Sequence, residues 1–213
     1  MFYETRSRPP LPHDPFKAIV APRPIGWIST IDAQGRHNLA PYSFFAALAS
    51  HPPIVGFSSE GMKDTPANAI ATGEFVFNLA TAPLAAAMNA TAAHVPRGVN
   101  EFDLSGLEMA PCRLVQPGRV ARSPAALECK VLQALELHDV DGRPTDRHVV
   151  IGQVVGVHID DRYVKDGRFD TAAAQPLARC GYRDYATVTE IFEMLRPDDR
   201  PAGAGDEAMR VRL

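Results

Sequence analysis

The sequence predicts a mainly β protein, built as one antiparallel barrel with a few short helices. Short strand-like runs dominate the first half of the chain, and two longer β-rich runs follow over residues 126–138 and 148–160. Only two or three short segments have helical composition, which argues against a βαβ array. With 213 residues, 46% of them hydrophobic, the chain can bury one sizeable core. We therefore expect one main domain.

Charge and hydropathy exclude several functions. The net charge is −3, and the lysines and arginines are scattered along the chain. This distribution gives no electrostatic footprint for nucleic acid or for an anionic membrane surface. No run approaches the roughly 20 apolar residues that span a bilayer, and the N-terminus lacks the apolar core of a signal peptide. We expect a cytoplasmic protein that binds neither nucleic acid nor membranes.

The first half of the chain predicts an arm followed by four strands. Residues 1–21 are rich in proline and lack periodicity, so we expect an extended arm. Residues 25–31 are β-rich, and a short turn leads from them into a second extended run over residues 37–45. These two runs predict a hairpin. A third strand fits residues 54–59 and a fourth fits residues 75–80.

A short helix is predicted between the third and fourth strands. Thr65 precedes Pro66, which is typical of an N-cap followed by proline at the first helical position, and Gly73 is expected to end the helix. The start of a helix carries unpaired amide donors and a partial positive charge. Together with Lys63, the Thr65 hydroxyl and the Asn68 amide, it could hold a phosphate group. An ordinary capped helix with a solvated Lys63 explains the same residues, so both interpretations stay open.

The second half predicts one helix, one long loop and a second hairpin. Residues 84–93 are rich in helix formers, whereas residues 95–118 form a long glycine- and proline-containing loop of the kind that often lines a site. The runs 126–138 and 148–160 should pair as an antiparallel hairpin. The second run has almost no polar face, so we expect the barrel interior on one side and a helix or another subunit on the other. The polar tail, residues 196–213, is predicted to be flexible.

The common motifs of dinucleotide, nucleoside triphosphate, esterase and zinc-protease sites are absent from the sequence. The cysteines, Cys112, Cys129 and Cys180, stand far apart without a CxxC pair, so we expect free thiols, with Cys129 buried in a strand. No metal site is expected, because no carboxylate or cysteine stands at ligand spacing from the histidines of the long strands. Those histidines are His138, His148 and His158.

Three consecutive segments of the chain carry a family likeness. They read RPIGWISTIDAQGRHNLAPYSFF, PPIVGFSS and KDTPANAIATGEFVFNLA, and the likeness continues as far as CGYRDYATV, over about residues 15–195. As an ordered set, these segments resemble the flavin reductase-like family of FMN-binding split barrels. The resemblance implies a six-stranded antiparallel Greek-key split barrel over residues 22–195. It also implies a homodimer that binds FMN without covalent attachment, near the subunit interface.

The resemblance further implies which residues bind the cofactor. The isoalloxazine ring would lie along one strand and the residues of the strand before it, namely Asn38, Ala40, Pro41, Tyr42 and Ser43 with Trp27 and Thr30. The phosphate would lie at Ser58, Ser59, Lys63, Asp64, Thr65 and Asn68, which includes the helix start considered above. We expect the Asp64 carboxylate to turn away from the phosphate and to cap the helix or pair with Lys63. For Trp27 and Tyr42, core packing is the alternative.

The implied function is an oxidoreductase in which NADH or NADPH reduces FMN, and reduced flavin or electrons pass to an acceptor such as a monooxygenase. No catalytic side chain is required, because the cofactor carries the chemistry. His158, Tyr182 and Tyr185 would lie where the nicotinamide approaches, or are plain barrel and surface residues. One alternative is a flavoredoxin-like electron-transfer protein with little NAD(P)H activity. Another is a barrel that binds a different phosphorylated or haem-like ligand.

Overall fold

The computed structural model describes residues 1–7, 10–196 and 209–212 of the chain. Strands provide most of its regular structure. In chain order they are β1 (Arg23–Pro24), β2 (Gly26–Ile31), β3 (His37–Tyr42), β4 (Phe45–Ser50), β5 (Pro53–Glu60), β6 (Glu74–Leu79), β7 (Met109–Ala110), β8 (Arg119–Val120), β9 (Ala125–His138), β10 (Pro144–Ile159), β11 (Val164–Lys165), β12 (Arg168–Phe169), β13 (Leu177–Gly181), β14 (Asp184–Thr187), β15 (Ile191–Met194) and β16 (Met209–Arg212). The α-helices are α1 (Phe16–Ile19), α2 (Asp64–Thr72), α3 (Ala85–Ala90), α4 (Glu101–Ser105) and α5 (Thr171–Ala174), with 3₁₀ turns at Ala82–Leu84 and Asp161–Tyr163.

Seven strands form one antiparallel sheet in the order β3-β2-β6-β9-β10-β5-β4. The mainly β class and both predicted hairpins, β2 with β3 and β9 with β10, are confirmed. The expected count of six strands is wrong for this sheet. The second extended run does not continue to residue 45, because the chain bends at Ser43 and Phe44. It then returns as β4, which pairs with β5 and forms an edge of the sheet.

The sheet curls around an apolar interior. Phe45 at the start of β4 stacks on Phe77 of β6, with ring centroids 4.7 Å apart, although the two strands are separated in the sheet order. Side chains alternate between the two faces of a strand. On β2, Ile28 therefore enters this interior cluster, while Trp27 packs in a second cluster with Met88 and Phe102. Because both of its faces are covered, β2 is buried along its whole length.

The described residues of a single chain cover the strand β10 mainly on one side. Val150 and Val154 are buried in the interior, as predicted. On the other side Val155, Val157 and Ile159 are exposed, with 60% of Val157 accessible. Among residues 1–7, 10–196 and 209–212, none covers these three outer side chains.

The predicted loop over residues 95–118 contains a helix. Asn100 caps α4, since its side chain accepts a hydrogen bond from the Phe102 amide at 3.1 Å, and Gly106 ends the helix in the left-handed conformation. The prediction of an irregular loop is wrong for this stretch. The helix has only five residues, which is too short to give a hydrophobic period in the sequence.

The two ends of the chain are less regular. In the predicted N-terminal arm, most described residues are exposed and α1 is the one α-helix among them. Most of the tail predicted over residues 196–213 lies outside the described residues, but β16 pairs with β15 as an antiparallel ladder. None of the described helices is long and apolar enough to cross a membrane.

Candidate functional site

A cavity of about 380 Å³ lies where β3, the start of α2 and the segment after α3 meet. We call it the first cavity. Its volume is typical of small-molecule sites, which span roughly 300–1,000 Å³. Its wall consists of Asn38, Ala40, Pro41, Tyr42, Lys63, Asp64, Thr65, Thr91, Ala92, Ala93, His94, Val95, Arg97 and Glu101. The first seven of these are residues that the sequence analysis assigned to cofactor binding, so the fold brings both predicted groups to one place.

The helix at the first cavity begins two residues earlier than expected. Lys63 occupies the N-cap position, with no hydrogen bond from its side chain to the helix, and α2 runs from Asp64 to Thr72. Gly73 ends the helix in the left-handed conformation, as predicted, with φ of 74°. Thr65 does not act as the cap, because its hydroxyl donates to the Asn38 side-chain oxygen at 2.6 Å. The start of the helix therefore lies at the cavity, but Thr65 links it to β3.

A chain of buried hydrogen bonds connects β2, β3 and α2 beneath the cavity wall. The Asn38 Oδ1 atom accepts from Thr65 Oγ1 and also from Thr30 Oγ1, the latter at 3.3 Å. Asn68 Nδ2 donates to Thr30 Oγ1 at 3.3 Å. All four side chains are buried. Thr30 and Asn68 thus hold the wall residues Asn38 and Thr65 in position and do not themselves line the cavity.

Glu101 is a buried acid in the wall that the sequence analysis missed. It is only 5% exposed, and its carboxylate accepts hydrogen bonds from Asn38 Nδ2 at 3.0 Å and from the Leu39 amide at 2.9 Å. Burial raises the pKa of the Glu101 carboxyl above its ordinary value, against the opposing effect of these hydrogen bonds. The sequence contains one indication of its position, since Asn100 is a typical helix N-cap residue and directly precedes Glu101. Glu101 therefore fixes Asn38 from the side opposite Thr65.

We expect the Glu101→Gln variant to lose a pH-dependent part of its stability. Because the pKa of Glu101 is raised in the folded state, its contribution is fully present below the unfolded pKa and is lost as the pH rises through the folded pKa. Glutamine keeps one oxygen acceptor and stays neutral. The variant should therefore lose less stability than the wild type as the pH rises above about 4.3, the ordinary glutamate value. Urea unfolding at a series of pH values measures this.

The exposed Glu108 provides the matched control for that comparison. The Glu108→Gln variant removes a carboxylate of the same chemistry from the surface, so its stability should follow the wild-type pH profile. If Glu101→Gln and Glu108→Gln give the same profile, burial does not perturb Glu101 in the way described.

The aromatic residues predicted for the site have different positions. Tyr42 lies in the cavity wall, packs on Phe57 with ring centroids 5.0 Å apart, and has its pKa raised by burial. Trp27 is completely buried, and its Nε1 atom donates to Thr91 Oγ1 at 2.9 Å. Because Thr91 lies in the wall, Trp27 supports the cavity from behind without lining it.

Asp64 turns to a different partner from the predicted one. Its carboxylate forms an ion pair with Arg97 at 3.0 Å and accepts a hydrogen bond from the Gly98 amide at 3.2 Å. The expected capping role or pairing with Lys63 is therefore replaced by a link to the segment after α3. Arg97 is a second cation in the wall, beside Lys63, and the sequence analysis did not identify it.

The serines assigned to the cofactor are outside this wall as the described residues form it. Ser59 is buried and its hydroxyl donates to the Gly61 carbonyl at 2.9 Å. Ser43 and Ser58 are half-buried, at the end of β3 and within β5. Their contacts in the structure are therefore local to β5 and to the turn after β3.

The three residues assigned to the nicotinamide side lie elsewhere. His158 contacts Glu128 in a second cavity. Tyr182 and Tyr185 flank Arg179, whose guanidinium lies 4.5 Å from the centroid of the Tyr185 ring and donates to the Tyr182 carbonyl. Within one chain, the described structure does not bring these residues to the first cavity.

The curled antiparallel sheet and the cavity at its edge define a barrel protein with a candidate small-molecule site. Residues 20–177 of the chain match the protein family described as the flavin reductase like domain. The chain therefore belongs to the flavin reductase-like family, which confirms the resemblance in the sequence.

Individual proteins are similar over most of the chain. An uncharacterized protein from Deinococcus radiodurans is 38% identical over 192 residues, which covers 84% of this chain and 82% of the relative. The structure of nitrilotriacetate monooxygenase component B from Bacillus cereus has a TM-score of 0.83 and 28% identity, covering 91% of this chain and 98% of that one. Flavoredoxin of Desulfovibrio vulgaris (Miyazaki F) has a TM-score of 0.73 over 90% and 95% of the two chains, and at 20% identity it shows the fold alone.

Proposed function

We propose that the protein is an FMN-dependent oxidoreductase that uses NADH or NADPH to reduce flavin and passes reduced flavin or electrons to an acceptor such as a monooxygenase. The observation that carries the proposal is the first cavity, because its wall unites the two predicted groups of cofactor residues in a chain of the flavin reductase-like family. The similarity to a monooxygenase component B supports an acceptor of that class.

The residues present fit the FMN phosphate at one end of the cavity. Lys63 and Arg97 supply two cations beside the start of α2, where the helix dipole also favours an anion. Arg97 is balanced in part by Asp64, whereas the Lys63 side chain is exposed at the wall. Lys63 is therefore the residue that we assign most directly to the phosphate.

The strand β3 fits the flavin ring. It is an edge strand of the main sheet, so the backbone groups along its free side are not used by a neighbouring strand. The Leu39 amide on this side donates to Glu101, and Glu101 lines the cavity, which shows that the free edge faces it. Ala40, Pro41 and Tyr42 provide an uncharged surface beside it. The Leu39 amide is already bonded to Glu101 and Pro41 has no N–H, so the groups that this edge offers are carbonyl oxygens. They can accept a hydrogen bond from an N–H group of the ring.

When bound, FMN supplies the hydride-accepting chemistry. The protein's part is to bind the flavin and to hold the nicotinamide against it, for which a reacting distance of about 3–3.5 Å is needed. No side chain has to act as a nucleophile or general base in this scheme.

The visible spectrum of the purified protein, with FMN added and excess flavin removed, tests the proposal. We expect flavin absorption that bleaches when NADH or NADPH is added without oxygen. Flavin absorption that neither nicotinamide bleaches would contradict a reductase and would favour an electron carrier that another protein reduces. Failure to retain or titrate FMN would instead favour a different phosphorylated or haem-like ligand.

We also propose that two chains form a homodimer with FMN near the interface. The outer side of β10 exposes Val155, Val157 and Ile159, and the edge strand β4 exposes Leu48, of which 53% is accessible. Apolar residues grouped in this way mark interaction surfaces. Light scattering should give the mass of two chains of 23.1 kDa, and a single-chain mass at micromolar concentration would contradict the dimer.

A further inference from the structure

Cys112, Glu128 and His158 come together away from the first cavity. Among the described residues, their ligand atoms form a group in which every pair lies within 4.8 Å. The three residues come from the segment before β8, from β9 and from β10, and none of them belongs to the wall of the first cavity. No metal site is expected from the sequence, because these three residues are distant from one another along the chain.

Glu128 is fixed in place before any ligand binds. It is 1% exposed, and its two carboxylate oxygens accept the amides of Arg113 at 2.9 Å, Leu114 at 2.6 Å and Val115 at 3.1 Å. These hydrogen bonds also position the backbone next to Cys112. Gly156 on β10 faces Glu128, and a Cβ atom there would lie 3.3 Å from the carboxylate carbon. Glycine therefore leaves the space that this buried carboxylate occupies.

His158 connects the group to solvent. Its Nε2 atom lies 2.5 Å from Glu128 Oε1, and 20% of the His158 side chain is exposed. His158 and Glu128 line a second cavity of about 340 Å³, together with Arg113, Leu114, Gly156, Val157 and Ile159. A small ion can therefore reach the group from solvent without passing the first cavity.

We propose that Cys112, Glu128 and His158 bind a Zn²⁺ ion whose fourth position opens to the second cavity. A thiolate, an imidazole and a carboxylate are the three side-chain ligand types that zinc accepts. The mixture of sulfur, nitrogen and oxygen disfavours Mg²⁺ and Ca²⁺, which take oxygen ligands. On binding, the Cys112 thiol releases its proton to solvent. The proton between His158 and Glu128 also leaves to solvent, and His158 binds the ion through Nε2 as a neutral imidazole with its proton on Nδ1.

Zinc binding requires only a small movement, and His158 is the residue that makes it. With zinc bonds of about 2.0–2.2 Å and tetrahedral angles, the His158 nitrogen and the Glu128 oxygen would stand about 3.4 Å apart. Starting from 2.5 Å, the imidazole must withdraw by about 0.9 Å. Glu128 can remain on its three backbone donors, because His158 lies at the edge of the second cavity and can move towards it. The ion would then tie the segment before β8 to β9 and β10.

Cobalt(II) is the probe that tests this site, since it adopts zinc geometry and absorbs visibly when a thiolate binds it. Tag-free protein should bind one Co²⁺ per chain with a thiolate-to-metal absorption band, and Zn²⁺ should displace it. The band should disappear in Cys112→Ala and persist in Cys180→Ala, which removes a half-buried thiol from β13. His158→Gln should weaken binding by at least about tenfold.

A thermal melt with and without Zn²⁺ provides the second readout. An ion that binds the folded chain raises the melting temperature by mass action. We expect this rise in the wild type and in Cys180→Ala, and its loss in Cys112→Ala, with circular dichroism confirming that each variant is folded. No cobalt band in the wild type, or a band of equal strength in Cys112→Ala, would overturn the proposal and leave the cluster as a structural hydrogen-bonded pair beside a thiol.

Discussion

Leucine in place of Glu128 is expected to lower the free energy of unfolding by about 3–5 kcal/mol, a large part of the total for a domain of this size. Glu128 accepts three backbone amides, those of Arg113, Leu114 and Val115, and contacts His158. Leucine fills a similar volume but leaves the buried Val115 amide and the partly buried amides of Arg113 and Leu114 without their acceptor. Urea unfolding in the presence of a chelator, followed by the fluorescence of the single tryptophan, Trp27, measures the loss.

The Glu128→Gln variant is the matched control, because glutamine retains one oxygen acceptor, and it should lose less stability than the leucine variant. Burial alone would raise the pKa of the Glu128 carboxyl. The hydrogen bonds from the Arg113 and Leu114 amides and from the His158 imidazole outweigh burial and hold this pKa below the ordinary value. A lowered folded pKa gives stability that is present above the unfolded pKa and is lost as the pH falls through the folded pKa. The difference in the free energy of unfolding between the wild type and Glu128→Leu should therefore become smaller at acidic pH. A leucine variant within about 1 kcal/mol of the wild type at neutral pH would contradict this account.

Alanine in place of Lys63 is expected to weaken FMN binding by about tenfold to a hundredfold. Loss of one hydrogen bond to a charged group costs about 1.5–3 kcal/mol, and each 1.4 kcal/mol is a factor of ten in affinity. Lys63 is exposed in the wall of the first cavity, directly before α2, so its removal should not disturb the core. Fluorescence titration with FMN measures the affinity, and hydride transfer at saturating flavin should change much less.

Riboflavin separates the phosphate contact from a general loss of binding, since it has the same ring and no phosphate. The Lys63→Ala variant should bind riboflavin as well as the wild type does. Lys165→Ala, at an exposed lysine of the β11–β12 hairpin, should leave the affinity for both flavins unchanged. Equal FMN affinity in Lys63→Ala and wild type would reject the phosphate assignment.

The sequence predicts those parts of the fold that have a clear period. Both long hairpins and the short helix before Gly73 follow from strand composition, turn residues and a helix stop signal. The edge strand β4 was missed because its residues, FAALAS, are small and mostly exposed, and so give no alternation of apolar and polar positions. Burial on one face produces that alternation, and in the described structure Phe45 is the one residue of β4 that packs into the interior, while the other five are exposed.

The candidate site is predictable only where its residues are neighbours in sequence. Seven wall residues were predicted from the sequence, and all of them lie in β3 or at the start of α2. Glu101 could not be predicted in the same way, because its hydrogen bond to Asn38 joins residues 63 positions apart. Thr91 and Arg97 likewise reach the wall through tertiary contacts with Trp27 and Asp64. Cys112, Glu128 and His158 have the same character, since only the folded chain brings them together.

The short helix α4 is attached to the cavity wall through the carboxylate of Glu101, and this attachment links the helix to any ligand in the cavity. Five residues do not form a stable helix alone, and α4 is anchored by Glu101 to Asn38 and Leu39 as well as by the buried Phe102. Any ligand that fixes Asn38 therefore also restrains the segment that carries α4. Departure of the ligand and local opening of this segment become one linked equilibrium.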